Sequence, residues 1–506
     1  MDGRLLLLLH VLALLLLAVV VAAGGGAVVG RDSAVLQLRE LQWGSSGQKA
    51  AAAARTRTRS TTVLELKHHS LTAIPDHPAA QETYLRRLLA ADEARANSLQ
   101  LRNKAAFTQS GKKATAAAAA AAGAEVPLTS GIRFQTLNYV TTIALGGGGS
   151  SRAGAGNLTV IVDTGSDLTW VQCKPCSVCY AQRDPLFDPS GSASYAAVPC
   201  NASACEASLK AATGVPGSCA TVGGGGGGGK SERCYYSLAY GDGSFSRGVL
   251  ATDTVALGGA SVDGFVFGCG LSNRGLFGGT AGLMGLGRTE LSLVSQTAPR
   301  FGGVFSYCLP AATSGDAAGS LSLGGDTSSY RNATPVSYTR MVADPAQPPF
   351  YFMNVTGASV GGAAVAAAGL GAANVLLDSG TVITRLAPSV YRAVRAEFAR
   401  QFGAERYPAA PPFSLLDACY NLTGHDEVKV PLLTLRLEGG ADMTVDAAGM
   451  LFMARKDGSQ VCLAMASLSF EDQTPIIGNY QQKNKRVVYD TVGSRLGFAD
   501  EDCSYA

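Results

Sequence analysis

Short apolar runs separated by glycine-rich turns dominate the chain from about residue 128 onward. Residues 137–145 are strand-like, and the glycines at 146–149 predict a turn directly after them. Similar runs recur to the C-terminus, a pattern typical of all-β proteins. The glycine run at 223–229 predicts a flexible surface loop. This part of the chain is therefore predicted to be built almost entirely from strands.

Two segments have apolar residues at helical intervals instead. Residues 83–102 carry leucines at such intervals with Arg and Glu between them, and form the best helix candidate upstream of the strand-rich region. Residues 385–401 are the one clear helix predicted within that region, with Pro388 near its start.

The first 23 residues predict a secretory signal peptide. Arg4 precedes an almost wholly apolar run at 5–21, and small residues follow it. The run is somewhat long for a signal peptide, so a retained signal anchor is the alternative. The C-terminal residues show neither a hydrophobic tail nor a retention tetrapeptide. We therefore expect a protein of the secretory pathway without a stable membrane anchor, located outside the cell or in the vacuole.

Two tripeptides with matched surroundings carry the candidate chemistry. They are Asp-Thr-Gly at 163–165 and Asp-Ser-Gly at 378–380; each closes an apolar run, and a hydroxyl residue follows each. One copy alone is explained equally well by a tight turn with an Asx hydrogen bond. Two copies predict a pair of carboxylates related by a two-fold axis. Carboxylates held together cannot both ionise, so one becomes an acid and the other a base, as peptide hydrolysis requires.

Further segments accompany the two Asp-containing motifs, and some of them recur in both halves of the chain. Trp170 follows the first motif, the sequence Ala-Tyr-Gly-Asp-Gly-Ser occupies 239–244, and apolar-apolar-Gly segments occupy 283–285 and 476–478. With these features the chain, from about residue 136 to the C-terminus, resembles the pepsin-type aspartic proteases. Within them it resembles the plant nepenthesin-like (atypical) group, whose cysteine-rich insertion is matched by Cys173, Cys176, Cys179, Cys200, Cys205, Cys219 and Cys234.

The resemblance implies an all-β, bilobal pepsin-like aspartic protease fold, with two β-barrel-like lobes flanking a catalytic cleft. We assign residues 1–23 to the signal peptide and 24–125 to a propeptide. The N-terminal lobe, with the insertion and the flap, takes 136–335, and the C-terminal lobe takes 345–506. The implied activity is that of an aspartic endopeptidase made as a zymogen.

The same resemblance implies the role of each site residue. Asp163 and Asp378 activate a water without a cofactor, a metal or a covalent intermediate. The first hydroxyl of each motif ties the two loops together, and the second hydrogen-bonds the outer oxygen of its aspartate. The residues that support the dyad are Thr164, Gly165, Ser166, Ser379, Gly380 and Thr381.

The flap implied by the resemblance centres on Tyr240 and Gly241, with Trp170 placed to meet the tyrosine hydroxyl. Asp167 and Asp242 are expected to be surface turn residues rather than catalysts.

The chain has 12 cysteines, all at or after Cys173, which in a secreted chain predicts disulfides. The close spacing of the first three also permits a metal site, but zinc sites need further Cys or His ligands, and His425 is the only histidine after residue 77. Eight cysteines, the seven of the insertion and Cys269, can close four bridges in the N-terminal lobe. Spacing leaves the pairing open; the resemblance implies Cys419–Cys462 and suggests Cys308–Cys503.

Five Asn-x-Ser/Thr sequons are glycosylation acceptors if exposed. They are Asn157, Asn201, Asn332, Asn354 and Asn421. Asn157 lies beside the first catalytic strand and is expected to be the poorest acceptor.

Charge is divided unevenly along the chain. Residues 1–123 carry 15 Lys and Arg against 8 Asp and Glu, whereas the remainder is net −4. A basic low-complexity linker is one explanation; a propeptide that complements an acidic enzyme is the one we favour. We expect it to lie across the cleft at neutral pH, with one Lys or Arg available to neutralise the dyad, and to be cut between about Ala114 and Arg133 after acidification. The cations concerned are Arg86, Arg87, Arg95, Arg102, Lys104, Lys112 and Lys113.

A binding protein and a DNA-binding protease are the two alternative functions. A catalytically weak binding or inhibitor-type protein of the same fold would have lost part of the dyad, which is intact here. A chloroplast-nucleoid DNA-binding protease would need a basic surface, but the basic excess lies in the predicted propeptide. We therefore expect a monomer whose partners are a polypeptide substrate and its own propeptide, with no nucleic acid.

Overall fold

The computed structural model describes residues 32–41, 77–106, 124–130, 134, 136–146, 156–222, 231–240, 243–311, 318–371, 373–403 and 406–503. The predicted signal peptide, the alanine-rich stretch at 114–123, the glycine loop at 223–229, and Gly241 and Asp242 of the flap lie outside the described residues.

Among the described residues, a strand, a short 3₁₀ helix at Leu38–Leu41 and a long α-helix precede the strand-rich region. Strand β1 spans Ser33–Gln37 and helix α1 spans Pro78–Ala106, so the helix predicted at 83–102 is present and extends further at both ends. Strand β1 pairs antiparallel with a strand of the C-terminal lobe at Glu427–Pro431. The upstream segment is therefore attached to the rest of the molecule at more than one place.

The N-terminal half follows as a series of strands with two helices. The strands are β2 (Ala124–Ser130), β3 (Tyr139–Leu145), β4 (Gly156–Asp163), β5 (Trp170–Gln172), β6 (Ala196–Ala197), β7 (Ser218–Val222), β8 (Ser231–Ala239), β9 (Phe245–Leu257), β10 (Ala260–Arg274), β11 (Gly282–Gly285), β12 (Val304–Cys308), β13 (Ala318–Leu323) and β14 (Ser337–Arg340). The helices are α2 (Leu209–Thr213) and α3 (Leu293–Phe301).

The C-terminal half has the same character. Its strands are β15 (Phe352–Val360), β16 (Ala363–Val365), β17 (Asn374–Leu377), β18 (Thr384–Leu386), β19 (Ala409–Ala410), β20 (Cys419–Tyr420), β21 (Glu427–Pro431), β22 (Leu433–Leu437), β23 (Asp442–Thr444), β24 (Leu451–Met453), β25 (Val461–Leu463), β26 (Met465–Ser467), β27 (Ile476–Ile477), β28 (Lys485–Asp490) and β29 (Arg495–Asp500). Helices α4 (Pro388–Phe398) and α5 (Ala447–Met450) lie between them.

The N-terminal lobe closes into a barrel. Strands β3, β4, β11, β5, β10 and β9 are neighbours in that order, and β9 pairs back onto β3 through Ala144 opposite Ala256 and Leu145 opposite Val255. Closure removes the free edges that an open sheet would expose. The all-β, bilobal pepsin-like fold predicted from the sequence is confirmed.

The two halves share one sheet. Strands β28 and β29, from the end of the chain, pair with β12 and β14 of the N-terminal half. Strand β2 lies between β13 and β3 in the same sheet. The sheet therefore includes residues 124–130, upstream of the position where we expected the N-terminal lobe to begin.

The helix predictions need two corrections. The helix predicted from residue 385 begins at Pro388, because proline is suited to the first turn and disfavours helix at the residue before it; Arg385 lies in β18 instead. Three further α-helices, the short α2 and α5 and the longer α3, were not predicted. At the start of α3, the Ser292 side chain accepts a hydrogen bond from Ser295 N, a capping signal that the sequence offered.

All 12 cysteines are paired. The insertion closes four bridges within the N-terminal lobe: Cys173–Cys269, Cys176–Cys179, Cys200–Cys219 and Cys205–Cys234. Cys419–Cys462 joins two neighbouring strands, and Cys308–Cys503 ties the end of the chain to β12. The disulfide prediction is confirmed. The described residues contain no group of three or more side chains that could hold a metal ion. Within the same residues, no helix is long and apolar enough to span a membrane.

The bridges should differ in their effect on stability. Cys308–Cys503 spans 195 residues and Cys176–Cys179 spans 3. Loop-closure entropy then predicts that Cys308→Ala/Cys503→Ala lowers the free energy of unfolding by up to about 5 kcal/mol, and Cys176→Ala/Cys179→Ala by about 1.5 kcal/mol. Urea titration of both variants measures the difference; equal losses would contradict it.

Candidate active site

The two aspartates lie at equivalent places in the two lobes. Asp163 ends β4, which runs parallel to β11, and Asp378 directly follows β17, which runs parallel to β27. Each apolar-apolar-Gly segment thus lies beside one catalytic loop. Both carboxylates are fully buried. Strand pairing therefore delivers both acids to the boundary between the lobes.

Reciprocal hydrogen bonds join the two loops. Thr164 N donates to Ser379 Oγ at 3.0 Å, and Ser379 N donates to Thr164 Oγ1 at 2.9 Å. Each hydroxyl also donates to a carbonyl of the opposite lobe, Ser379 Oγ to Val162 O at 3.0 Å and Thr164 Oγ1 to Leu377 O at 3.4 Å. The distance between the two aspartates is consequently fixed by side chains rather than by a continuous strand.

Each carboxylate is held by its own loop. Asp163 accepts from Ser166 Oγ at 2.6 Å and from Gly165 N at 3.0 Å. Asp378 accepts from Thr381 Oγ1 at 2.6 Å and from Gly380 N at 2.8 Å. These donors fix the orientation of the oxygens of each carboxylate.

Glycine is needed in both loops because the opposite carboxylate lies so close. A Cβ at Gly165 would lie 2.6 Å from Asp378 Oδ1, and a Cβ at Gly380 would overlap Asp163 Oδ1. The two carboxylates therefore face each other across the two glycines.

A guanidinium from helix α1 occupies the space between the carboxylates. Arg95 Nη2 lies 2.5 Å from Asp163 Oδ1 and 3.1 Å from Asp378 Oδ2. Arg95 Nη1 and Nε make a further bond to each acid at 3.3 Å. One cation is thus shared by two buried anions.

The pKa of Asp378 is raised above its ordinary value of 3.8. Burial is the main cause and the neighbouring charge of Asp163 adds to it, while the guanidinium of Arg95 and the Thr381 hydroxyl oppose the rise. Burial also acts to lower the pKa of Arg95, but the two carboxylates outweigh burial and raise the pKa of its guanidinium. The arginine therefore remains charged.

The flap lies over the same space. Strands β8 and β9 form its hairpin, Gly243 has a left-handed φ of 79°, and Tyr240 N donates to Ser244 O at 2.8 Å. Trp170 Nε1 donates to Tyr240 Oη at 3.0 Å, and Phe277 packs edge-on against both rings.

Helix α1 fills the cleft between flap and dyad. Its buried face carries Leu85, Leu89, Asp92, Ala96 and Leu99, which alternate at spacings of four and three along one side of the helix. The leucines at its N-terminal end pack against the C-terminal lobe, and Ala96 and Leu99 pack against a second apolar cluster. A cavity of only about 70 Å³ remains, lined on one side by the helix and on the other by the flap. A substrate could enter only after the helix leaves.

A second ion pair fixes the helix one turn before Arg95. Asp92 accepts from Arg385 Nη2 at 3.0 Å, and the two side chains are 1% and 4% exposed. At the other end, the Gln100 amide pairs with both backbone groups of Thr474, each at 2.8 Å. The helix is therefore held by specific polar contacts on both sides of the dyad.

Sequence reasoning missed part of this site. Arg95 was one of seven named cations, with nothing to single it out, and Asp92, Gln100 and Arg385 were not considered. Asp167 was expected at the surface, but it is fully buried, and its Oδ1 accepts from Thr289 N at 2.9 Å; the expectation was wrong. The helical spacing of Asp92 and Arg95 on the apolar face of α1 was the signal available.

The sequons differ in accessibility. Asn157, Asn201, Asn332 and Asn421 are exposed, and Asn354 is partly buried within β15. The exposure of Asn157 removes the reason for expecting it to be the poorest acceptor.

Comparisons with known proteins agree with this geometry. The family described as "Xylanase inhibitor N-terminal" matches residues 139–325, and "Xylanase inhibitor C-terminal" matches 350–500. An aspartyl protease family protein of Arabidopsis thaliana is 36% identical over 94% of each chain. Aspartic proteinase nepenthesin-1 of Nepenthes gracilis is 33% identical over 68% of this chain and 75% of its own length.

The chain belongs to the nepenthesin-like group of plant pepsin-like aspartic proteases. It is an aspartic-type endopeptidase and acts on polypeptides. Among solved structures, basic 7S globulin from soybean has a TM-score of 0.58 at 19% identity, covering 76% of this chain and 98% of its own. The aspartic proteinase from Irpex lacteus has a TM-score of 0.51 at 19% identity, covering 76% and 99%. These likenesses concern the fold.

The hydroxyl bridge between the loops should contribute to the stability of the protease. Thr164→Val leaves the buried Ser379 N without its acceptor, so it should lower the free energy of unfolding by roughly 1–3 kcal/mol. Ser379→Ala should cost about as much, and the double variant less than the sum, because both changes break one network. Urea titration tests this, with the exposed Thr356→Val as control. Additive losses would argue against a shared network.

Proposed function

We propose that this chain is made as a secreted zymogen and hydrolyses peptide bonds at acid pH, using a water activated by Asp163 and Asp378. The observation that carries the proposal is the guanidinium of Arg95, contributed by the N-terminal segment and bound to both buried carboxylates. This one side chain both offsets the negative charge of the two carboxylates and blocks access to them. The arrangement suits an enzyme that is inactive until this segment is removed.

The chemistry follows from two acids that face each other. With the helix gone, two carboxylates this close hold one proton between them. The ionised member takes a proton from a water as its oxygen attacks the scissile carbonyl carbon, and the protonated member donates to the carbonyl oxygen. As the tetrahedral intermediate collapses and the C–N bond breaks, one of its hydroxyl groups returns a proton to the dyad, and the leaving nitrogen receives a proton from the dyad. The protons belong to the coupled pair, so neither role is permanent.

The surrounding residues would orient these steps. Ser166 and Thr381 hold one oxygen of each carboxylate, which leaves the inner oxygens for water and substrate. Tyr240, anchored by Trp170, would close over the bound peptide and limit access of bulk water.

Acid would release the prosegment through proton linkage. Burial raises the pKa of Asp378, and the Arg95 guanidinium opposes that rise, so the contact between them favours helix binding while the carboxylate is ionised. This contribution is lost as pH falls through the pKa of Asp378 in the zymogen. Because burial raises that pKa, the loss begins above the ordinary aspartate value of 3.8.

Cleavage of the prosegment would lie between α1 and β2. Strand β2 pairs with β13 on one side and β3 on the other, so a cut within it would break a central part of the sheet. We therefore expect the mature N-terminus within residues 107–124. This range overlaps the sequence-based range of about Ala114 to Arg133 at 114–124, extends upstream of it, and leaves out the rest of β2 and the residues after it.

We also propose that the protein enters the secretory pathway. The apolar leader favours the secretory pathway, to the extracellular space or the vacuole, over the chloroplast. Six disulfides suit an oxidising compartment, and the four exposed sequons suit glycosylation.

A binding protein is the second candidate. The matching families are described as xylanase inhibitors, and soybean basic 7S globulin has the same fold. Such a protein would not need two aspartates, four supporting hydroxyls and an arginine that blocks them. The intact dyad therefore favours the enzyme.

Removing either carboxylate should abolish peptide hydrolysis. Asp163→Asn and Asp378→Asn should each lower kcat by about a thousandfold or more, since an amide cannot exchange the proton. The assay is cleavage of denatured protein by acid-activated enzyme, with and without pepstatin. Asp442→Asn, at an exposed strand residue, is the matched control. Full activity in either dyad variant would reject the mechanism; wild type inactive at every pH would favour the binding protein.

Removing the shared cation should make the zymogen leak. Arg95→Gln should raise the fraction of activated enzyme at pH 6 by roughly tenfold or more, because the two carboxylates lose their common partner. The appearance of the new N-terminus is followed by N-terminal sequencing as a function of pH. Arg87→Gln, exposed on the same helix, should behave like wild type. Identical activation profiles for the Arg95 and Arg87 variants would exclude this role of Arg95.

A further inference from the structure

We propose that the mature enzyme has a subsite for an acidic side chain, formed by Arg385 and the backbone N–H groups of Val382 and Ile383. This rests on the proposed peptidase function and adds a substrate preference to it. In the zymogen, Asp92 occupies the subsite.

The carboxylate of Asp92 is bound by three donors. Its Oδ1 accepts from Val382 N at 2.5 Å, and its Oδ2 accepts from Ile383 N at 3.1 Å and Arg385 Nη2 at 3.0 Å. Two converging backbone N–H groups and a guanidinium are a strong combination for a carboxylate. A neutral amide could satisfy only part of it, because its NH₂ group donates rather than accepts.

The donors belong to the enzyme and the acceptor belongs to the prosegment. Val382 and Ile383 directly follow Thr381 of the catalytic loop, and Arg385 lies in β18. When α1 leaves, the carboxylate leaves with it. Among the described residues, Asp92 is the one acid that forms an ion pair with Arg385. Once α1 is gone, Arg385 and the two N–H groups lose their shared acceptor, and the mature cleft retains three donors that converge on one point.

The subsite opens into the substrate cleft. Val382, Gly380, Asp92 and Arg95 line one cavity together with Tyr240 of the flap. Arg385 Nη1 donates to Ile383 O at 2.7 Å, and this bond orients the guanidinium toward the position of Asp92. The arginine is therefore oriented by the enzyme itself and does not depend on the prosegment for its direction.

Distance along the helix indicates which substrate residue would reach the subsite. Asp92 precedes Arg95 by three residues, about 4.5 Å of helix rise. An extended substrate advances about 3.3 Å per residue. An acidic residue within about three positions of the scissile bond, on one side of it, would place its carboxylate here.

A paired peptide scan with the acid-activated mature enzyme tests the proposal. Asp and Asn peptides are compared at each of the four positions on either side of one scissile bond, at about pH 5, where an unperturbed aspartate is ionised. We expect kcat/KM to favour Asp over Asn by about tenfold or more at one position. Arg385→Gln should bring that ratio close to one, and Arg385→Lys should give an intermediate value. Arg392→Gln, an exposed arginine of α4, should leave the ratio as in wild type.

A scan without preference for Asp at any position would overturn the proposal, as would a preference that survives in Arg385→Gln. If the Arg385 variants do not fold, a complex of wild-type enzyme with a statine-containing peptide carrying Asp at the preferred position decides instead. Its carboxylate should lie within hydrogen-bonding distance of Arg385, and any other location refutes the subsite. Cleavage without the preference rejects the subsite alone, whereas absence of all cleavage rejects the peptidase function.

Discussion

Two buried carboxylates that face each other across a lobe boundary are the constraint from which the rest of the structure follows. Neither Asp163 nor Asp378 touches bulk water, and each lies within 3.1 Å of the same nitrogen of Arg95. Like charges in such a place are unfavourable unless a proton or a cation lies between them. Here the cation is an arginine of the N-terminal segment, and in the proposed mature enzyme it is replaced by a proton.

The bilobal architecture provides the precision that this pair requires. Each aspartate is at the end of a strand with a parallel neighbour, and the hydroxyls of Thr164 and Ser379 join the loops across the boundary. A shared sheet and the Cys308–Cys503 bridge connect the two halves behind the cleft. Since the loops meet only through side chains, small residues at 165 and 380 allow the carboxylates to approach.

Helix α1 matches the chemistry of the cleft at three places. Its arginine opposes the catalytic acids, its Asp92 satisfies the donors around Arg385, and its Gln100 pairs with the backbone of Thr474. In the proposed zymogen, inhibition by the helix and recognition of substrate therefore depend on the same groups of the cleft. The helix is therefore informative about what the cleft binds once the helix is gone.

The sequence by itself determined the strand-rich character of the chain and the two aspartates with their hydroxyl and glycine neighbours, because each of these motifs is contiguous. The bilobal fold and the contact of the flap tyrosine with Trp170, 70 residues apart, came from the resemblance to a known family. Only the tertiary structure selected Arg95 from seven cations, paired Asp92 with Arg385, buried Asp167, and placed β2 within the central sheet. Those partners are separated by as many as 293 residues. A contact across such a distance leaves no local pattern, because packing and the need to pair buried charges decide it only after the chain has folded.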